Sequence, residues 1–155
     1  FEYILKNNFD AVITMDGDGQ HAPDEIPSFI DSAKNSSVSI LIGNRMLNKT
    51  NMPFERVLTN RFISWLISKV ARQYIPDTQC GFRLIKREAL SVLRLTTSNY
   101  ETESEILVKA SRAGLRIGFL PITTIYIGSK SRINPFIDTI RFLKFILKEP
   151  WISKN

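Results

Sequence analysis

Two aspartates, an amide and an imidazole follow one another closely after a short apolar run, Ala11 to Met15. Residues 16–21 read DGDGQH, and Pro23 then begins a predicted helix. In an α/β protein, a strand that ends in such a turn delivers its carboxylates to the carboxyl edge of the sheet, where ligands bind. Carboxylate and amide oxygens suit Mg²⁺ or Mn²⁺, and such an ion usually neutralises a diphosphate. Asp16, Asp18 and Gln20 are therefore candidates for a metal site.

The same pattern has simpler interpretations. Pairs of aspartates two residues apart are common in solvated turns, where they bind no metal. A calcium loop of the EF-hand type also begins this way, but its closing glutamate would fall at Pro27, so that site is excluded. His21 is the only histidine of the chain, and a lone histidine is more often structural than catalytic. We expect it either to support the aspartates or to donate to a phosphate.

Two arginines occupy positions that suit a phosphate. Arg45 closely follows a second predicted strand, Val38 to Ile42, and Arg56 stands near the start of the longest predicted helix, Glu55 to Tyr74. A guanidinium group matches two phosphate oxygens at once. Either arginine taken alone is more often an ordinary surface residue, so the prediction depends on the two lying at one edge of the sheet.

Further candidates for chemistry lie later in the chain. Asp77 and Arg83 flank a turn between the long helix and a short strand, and Glu103 lies at the start of another helix. Asp77 could orient an acceptor or remove its proton, and Glu103 is a second candidate for that role. The alternatives are structural, because an aspartate in a turn satisfies nearby backbone amides and a carboxylate at a helix start interacts with the helix dipole.

Composition limits the class of protein. The 155 residues include 43% hydrophobic and 23% charged residues, as expected for one globular domain or a part of one. The net charge of +6 favours anionic partners such as nucleotides, phosphates or an acidic membrane surface. The single cysteine, Cys80, is expected to be a small buried residue. No apolar run reaches the roughly 20 residues that crossing a bilayer requires.

Predicted strands and helices alternate along the chain, which is typical of an α/β protein. Besides the long helix, helices are predicted at 1–6, 23–34, 87–95, 102–114 and 134–148, and further strands at 9–15, 82–85, 116–120 and 122–127. The apolar stripe predicted for the long helix consists of Leu58, Phe62, Trp65, Leu66 and Val70. The last helix is basic and amphipathic, a pattern that fits packing on the sheet and a membrane interface equally well.

Four segments, in their order and spacing, resemble glycosyltransferase family 2. They are residues 16–21 (DGDGQH), 43–45 (GNR), 77–83 (DTQCGFR) and 100–106 (YETESEI), and the similarity covers about residues 1–148. Within the family, the chain looks most like the polyprenyl-phosphate branch, similar to dolichyl-phosphate mannosyltransferases. The resemblance implies a GT-A (nucleotide-diphospho-sugar transferase) fold, an α/β architecture with a mostly parallel sheet and flanking helices, here without its first strand or strands.

The resemblance implies roles on the donor side. Mg²⁺ or Mn²⁺ near Asp16, Asp18 and Gln20 would bridge the diphosphate of a UDP- or GDP-linked sugar, with Asp16, Asp18 and Lys130 as nucleotide-sugar contacts. Residues 1–133 would be a partial catalytic domain. Residues 134–155 would be an amphipathic helix that could lie at a membrane interface. The protein would lie peripherally on the cytoplasmic face of a membrane.

The resemblance also implies roles on the acceptor side. A lipid phosphate would meet Arg45, Arg56, Asn60 and Arg83, and the transfer would invert the anomeric carbon. Asp77 sits where the family's candidate catalytic aspartate sits.

Two other functions remain open. A family 2 transferase could use a hydroxyl acceptor on a polysaccharide or glycan, and Asp77 or Glu103 would then be an essential base. A non-catalytic basic module could bind anions or an acidic membrane. Nucleic acid is not an expected partner, because the chain lacks aromatic residues interleaved with basic ones in an exposed sheet.

Overall fold

The structure is a computed structural model that describes residues 1–47, 52–96 and 101–125. Helices and strands alternate through these ranges, which confirms the predicted α/β class. The predicted helix 134–148 and Lys130 lie outside the described residues. Among the residues described, no helix combines the length and the apolarity that spanning a bilayer requires.

Four described strands form one sheet in the order β1-β3-β2-β4. They are β1 (Ala11–Thr14), β2 (Ile40–Asn44), β3 (Arg83–Lys86) and β4 (Ile117–Pro121). β2 and β4 pair in parallel, whereas β3 runs antiparallel to both β1 and β2. The predicted mostly parallel sheet is therefore a mixed sheet in this part of the chain: β1, β2 and β4 point one way and β3 points the other.

The reversed direction of β3 gathers the motifs at one edge of the sheet. The carboxyl ends of β1, β2 and β4 meet there, and β3 begins there because the turn before it lies beside the end of β2. The amide of Gly43 in β2 donates to the carbonyl of Phe82, just before β3, over 2.9 Å. The acidic turn after β1, the arginine after β2 and residues 77–83 consequently share this edge, which we call the site edge.

Five described α-helices accompany the sheet. They are α1 (Glu2–Lys6), α2 (Ile26–Lys34), α3 (Phe54–Ala71), α4 (Arg87–Val92) and α5 (Glu101–Arg112), and short 3-10 helices cover Pro23–Glu25 and Arg45–Leu47. Each begins within a turn of its predicted start. α3 is capped by Arg72, the residue after its last turn, which has a left-handed φ of 54° and whose amide donates to the carbonyl of Lys69.

The core lies around β2, whose five residues are all buried. Phe29 of α2 stacks on Phe82 with ring centroids 4.1 Å apart and planes within 10°. Cys80 is fully buried, as predicted, and burial raises the pKa of its thiol to about 12. Arg83 is also buried, so the start of β3 carries a guanidinium group into the interior.

One prediction about local structure is wrong, and a second holds only in part. Residues 122–125 of the predicted strand 122–127 form only an isolated bridge, between Thr124 and His21, because β2 has already ended opposite Pro121. The predicted apolar stripe of α3 matches its buried face only in part, because Leu66 and Val70 pack against the core whereas Leu58, Phe62 and Trp65 are exposed. The residues of α3 that are buried are Asn60, Ile63, Ser64, Ile67 and Ala71.

Candidate functional site

The acidic turn follows β1 directly and is shaped by its own side chains. Asp18 is exposed, and its Oδ1 accepts a hydrogen bond of 3.0 Å from the backbone amide of Gln20. Gly19 has a φ of 76°, a conformation that glycine adopts without strain. The turn therefore leaves one oxygen of Asp18 facing outward beside the half-buried side chain of Gln20.

Asp16 is tied to the one histidine of the chain. Nε2 of His21 lies 3.1 Å from Asp16 Oδ2, and His21 is 5% exposed and tilted against Phe82. The hydrogen bond from His21 lowers the pKa of Asp16 despite the opposing effect of partial burial, and the nearby charges of Arg45 and Arg83 lower it further. Asp16 is thus an oriented, ionised carboxylate, and His21 takes the supporting position that was one of its two expected roles.

The acidic turn is also in contact with the turn before β3. A Cβ atom placed on Gly81 would lie 2.2 Å from Asp16 Oδ1, so the absence of a side chain there allows the carboxylate to approach. The hydroxyl of Thr14 donates to the carbonyl of Gly81 over 3.0 Å. These contacts join two motifs that lie more than sixty residues apart in the sequence.

Arg45 and Asp77 form a two-pronged ion pair. Nε and Nη2 of Arg45 each donate to a different oxygen of Asp77 over 2.9 Å, and the backbone amide of Arg45 donates to Oδ2 over 3.1 Å. Asp77 is fully buried, which by itself raises the pKa of its carboxyl group. The hydrogen bonds and charge of Arg45, with a hydrogen bond from Asn60, outweigh burial and lower that pKa.

A buried polar network continues from Asp77 into α3. The amide group of Asn60 donates to Asp77 Oδ1 over 2.8 Å, and the hydroxyl of Ser64 donates to Asn60 Oδ1 over 2.8 Å. The backbone amide of Thr78 donates to the same hydroxyl over 3.1 Å. Sequence reasoning missed Ser64 and Thr78. The available signal was a pair of polar residues four apart in α3, on the face that also carries Ile67.

Arg83 is occupied by the protein itself. Its guanidinium group donates to the carbonyls of Cys80, Thr78 and Glu103 over 2.7, 2.9 and 2.9 Å. It also donates to a carboxylate oxygen of Glu103 over 3.3 Å. This arrangement fastens the turn before β3 to the first turns of α5, so the geometry gives Arg83 a positioning role.

Glu103 borders a cavity of about 180 Å³ at the site edge. Burial raises the pKa of Glu103, the neighbouring charge of Arg83 opposes that rise, and the negative charge of Asp16 adds to it. The polar lining comes from Thr14, Asp16, Arg83, Thr102 and Glu103, whereas Phe1, Met15, Ile85 and Ile106 contribute apolar surface. The cavity can accept a ligand group with both polar and apolar character.

The structure brings the expected site residues into three neighbouring groups. Asp16, Arg83 and Glu103 border the cavity, Arg45, Asn60 and Asp77 form the buried network, and Asp18 and Gln20 lie in the acidic turn that follows Asp16. Arg56 is half-buried in the first turn of α3, one turn before Asn60. The contact between Asp16 and Gly81 links the first two groups through the turn of residues 77–82.

The acidic turn fits a divalent ion that is shared with a substrate. Within residues 1–47, 52–96 and 101–125, no three His, Cys, Asp or Glu side chains converge so as to hold an ion by themselves. Mg²⁺ typically takes only one or two carboxylates from a protein and completes its coordination with phosphate oxygens and water. Asp16 and Asp18, both exposed, supply oxygen donors of that kind together with the amide of Gln20 in the same turn, so these residues suit an ion bound together with a diphosphate.

Comparison with known proteins identifies the relatives of this chain. A sequence model described as Glycosyl transferase family 2 matches residues 7–94. A UDP-N-acetylglucosamine–dolichyl-phosphate N-acetylglucosaminyltransferase of Methanococcus voltae is 38% identical over 76% of this chain and 49% of its own length. An undecaprenyl-phosphate mannosyltransferase of Micrococcus luteus is 25% identical over 81% of this chain and 53% of its own length.

A third relative is a dolichol-phosphate mannosyltransferase of Pyrococcus furiosus, 31% identical over 64% of this chain and 30% of its own length. The chain spans about half the length of the first two relatives. The family predicted from the four motifs is confirmed, and with it the GT-A class of fold.

Proposed function

This chain belongs to glycosyltransferase family 2, and from that premise we propose that it transfers a sugar from a nucleotide diphospho-sugar to a polyprenyl phosphate. The observation that carries the proposal is the state of Asp77. Its carboxylate is buried, ionised and already bonded to Arg45, Asn60 and backbone amides. A carboxylate so engaged is a poor general base, and a lipid phosphate, being anionic already, needs none.

On the donor side, Asp16, Asp18 and Gln20 would hold Mg²⁺ or Mn²⁺ against the diphosphate of a UDP- or GDP-linked sugar. Such an ion supplies Lewis-acid stabilisation of the negative charge that develops on the leaving nucleoside diphosphate. The hydrogen bond from His21 fixes the orientation of the Asp16 carboxylate, and Gly81, which has no side chain, leaves the space in which that carboxylate lies. We place Lys130 among the nucleotide-sugar contacts on the family resemblance alone.

On the acceptor side, Arg45 and Arg56 would position the lipid phosphate for direct displacement with inversion. Asp77 and Asn60 fix the guanidinium plane of Arg45 through the two-pronged pair, so Arg45 is oriented before a substrate arrives. Arg56 lies on the same side of α3 as Asn60 and is not fully buried. Arg83 orients the turn that carries Asp77, and through it the acceptor site.

The names of the relatives support the acceptor class. All three of these proteins are named for transfer to dolichyl, undecaprenyl or dolichol phosphate, whereas their sugars are N-acetylglucosamine or mannose. The polyprenyl phosphate is the common feature, so we propose that class of acceptor. A lipid acceptor and a water-soluble nucleotide sugar would meet at the cytoplasmic face of a membrane.

Steady-state kinetics of the full-length protein test the acceptor site. Arg56→Gln is expected to raise the KM for polyprenyl phosphate at least about tenfold with little change in the donor KM, because one charged contact to phosphate is lost. Arg94→Gln is the matched control, since Arg94 is exposed, follows α4 and is not among the residues of the candidate site. A larger effect of Arg56→Gln on the donor KM would contradict the assignment.

A second candidate function is favoured by the position of Glu103, which borders the cavity and whose pKa is raised by burial. Such a carboxylate suits proton removal from a hydroxyl acceptor of a polysaccharide or glycan. Under that function, Glu103→Gln would abolish transfer and remove the acidic limb of the pH–rate profile. Under the polyprenyl-phosphate function, the same variant would keep the shape of the profile and lose less than about tenfold in kcat.

A further inference from the structure

The outer face of α3 is apolar and exposed over the first three turns of the helix. Phe54, Leu58, Phe62 and Trp65 follow one another at intervals of three or four residues, which places them on one side of the helix. Their side chains are 78%, 61%, 51% and 57% exposed. The opposite side of α3 carries the buried Ile63 and Ile67, so this helix presents large apolar residues both to the core and to solvent.

Basic residues lie on that same outer face. Arg61, Lys69 and Arg72 are exposed and fall between or directly beyond the apolar residues, whereas Glu55 is the one carboxylate of the helix. Phe62 and Trp65 stack with ring centroids 6.3 Å apart, which makes a continuous aromatic surface. We use "outer face" for these residues: Phe54, Leu58, Arg61, Phe62, Trp65, Lys69 and Arg72.

We propose that the outer face of α3 docks on the surface of an anionic lipid bilayer. Aromatic and aliphatic side chains mixed with arginine and lysine are the composition of a helix that lies in a bilayer interface, with apolar groups among the acyl chains and cations at the headgroups. Tryptophan favours this boundary because its ring is apolar and its N–H is polar.

Charge argues against two other occupants of this face, a second copy of the chain and residues 126–155. A second copy of the chain would bring its own three basic residues against those of the first. Residues 126–155 are also basic in composition, with six Lys or Arg and two Asp or Glu, so their charge likewise disfavours contact with the basic residues of the outer face. An anionic surface is the partner that satisfies both the cations and the apolar side chains of the outer face.

The position of α3 gives the docking a consequence for the site. The apolar residues lie in its first three turns, and those turns also carry Arg56 and Asn60 on the inner side. Asn60 contacts Asp77 at the site edge over 2.8 Å. A bilayer under the outer face would therefore lie beside the site edge, where the phosphate of a lipid acceptor must arrive. This consequence rests on the proposed function, whereas the docking itself does not.

Vesicle binding of the full-length protein tests the docking without any substrate. The vesicles contain phosphatidylcholine with or without phosphatidylglycerol, and neither polyprenyl phosphate nor a sugar donor is present. We expect binding that requires the anionic lipid and that falls at least about tenfold in the double variant Leu58→Ser, Trp65→Ser. The matched control is Tyr3→Ser, Val92→Ser, which removes two side chains that are also exposed, at 67% and 55%, but lie outside α3.

Two further measurements test the charges of the outer face and the insertion of Trp65 into the bilayer separately. Arg61→Gln with Lys69→Gln leaves the apolar residues in place and is expected to weaken binding by about fivefold for each charge removed. Brominated lipids are expected to quench the tryptophan fluorescence of the wild type more than that of Trp65→Phe. Equal binding by the wild type and both α3 variants, or no binding by the wild type, would overturn the docking. So would a self-association that the apolar double variant abolishes, because a second copy would then cover the face.

The docking and the proposed function fail separately. Protein that binds the vesicles through α3 and transfers no sugar to polyprenyl phosphate contradicts the reaction only. Protein that transfers sugar in detergent and ignores the vesicles contradicts the docking only.

Discussion

The carboxylate of Asp16 lies against the Cα atom of Gly81, so closely that a Cβ there would fall 2.2 Å from Asp16 Oδ1. This contact joins the acidic turn after β1 to the turn that carries Asp77. Because Asp77 in turn binds Arg45, one chain of contacts leads from the proposed donor side of the site to the proposed acceptor side. Substitutions along this chain of contacts should therefore affect donor and acceptor use in distinguishable ways.

Gly81→Ala should displace the Asp16 carboxylate and impair use of the donor. A methyl group cannot share the space with Asp16 Oδ1, so the carboxylate must rotate away from its position beside His21. We expect kcat/KM for the nucleotide sugar to fall at least about tenfold. Gly17→Ala is the control, because a Cβ at Gly17 would meet nothing within 4 Å. Equal kinetics of the two variants would contradict the positioning of Asp16.

Asp18→Ala should remove metal-dependent transfer without unfolding the protein. Asp18 is exposed, and its hydrogen bond to the amide of Gln20 contributes about 1 kcal/mol or less to stability. Loss of a Lewis-acid site is expected to reduce transfer by about a hundredfold or more, and EDTA should do the same to the wild type. The metal assignment would be refuted if Asp18→Ala turned over at the wild-type rate, lost its activity in EDTA and regained it on addition of Mg²⁺ as the wild type does.

Asp77→Asn should reduce the dependence of the free energy of unfolding on pH below about pH 4. The pKa of Asp77 is lower in the folded protein than its ordinary value of about 4, so falling pH protonates the unfolded chain first. The contribution of Asp77 is complete above that ordinary value and is lost as the pH falls through the folded pKa. Urea unfolding at a series of pH values should therefore show that the free energy of unfolding falls more steeply toward acid pH in the wild type than in Asp77→Asn. Parallel curves for the two proteins would contradict the ionised pair.

Asn60→Ala should destabilise the fold and loosen Arg45. The substitution leaves Asp77 Oδ1 and the hydroxyl of Ser64 each without one buried partner, which costs about 1–3 kcal/mol in the free energy of unfolding. Thr59→Ala is the control, because Thr59 precedes Asn60 in α3 and its hydroxyl donates to the helix's own carbonyl at Glu55. Thermal unfolding measures both variants. A loss no larger in Asn60→Ala than in Thr59→Ala would show that the network adds little.

Much of the fold could be predicted because its signals are local. The strand before Asp16, the helix start at Pro23 and the helix that carries Glu103 all follow from short-range patterns. The order of the strands was not accessible in this way. β3 lies between β1 and β2 and runs against both, a pairing that depends on contacts between residues far apart, such as Thr14 with Gly81.

The sequence predicted which residues form the candidate site better than it predicted the role of each residue. The acidic turn, Arg45, Asp77 and Glu103 were identified from their motifs, and the structure gathers them at the site edge. Arg83 was expected at a phosphate, but three backbone carbonyls occupy its guanidinium group. The apolar side of α3 was misjudged because this helix has apolar residues on two faces, and periodicity alone does not say which face is buried.

Sugar transfer to a phosphorylated and to an unphosphorylated polyprenol is the most direct test of the central claim. Purified full-length protein would receive a radiolabelled nucleotide sugar, a divalent ion and either lipid, and the lipid product would be counted. We predict product with polyprenyl phosphate alone, dependent on the ion and lost in Asp18→Ala. Equal transfer to the unphosphorylated polyprenol, or transfer only to a glycan hydroxyl, would contradict the account.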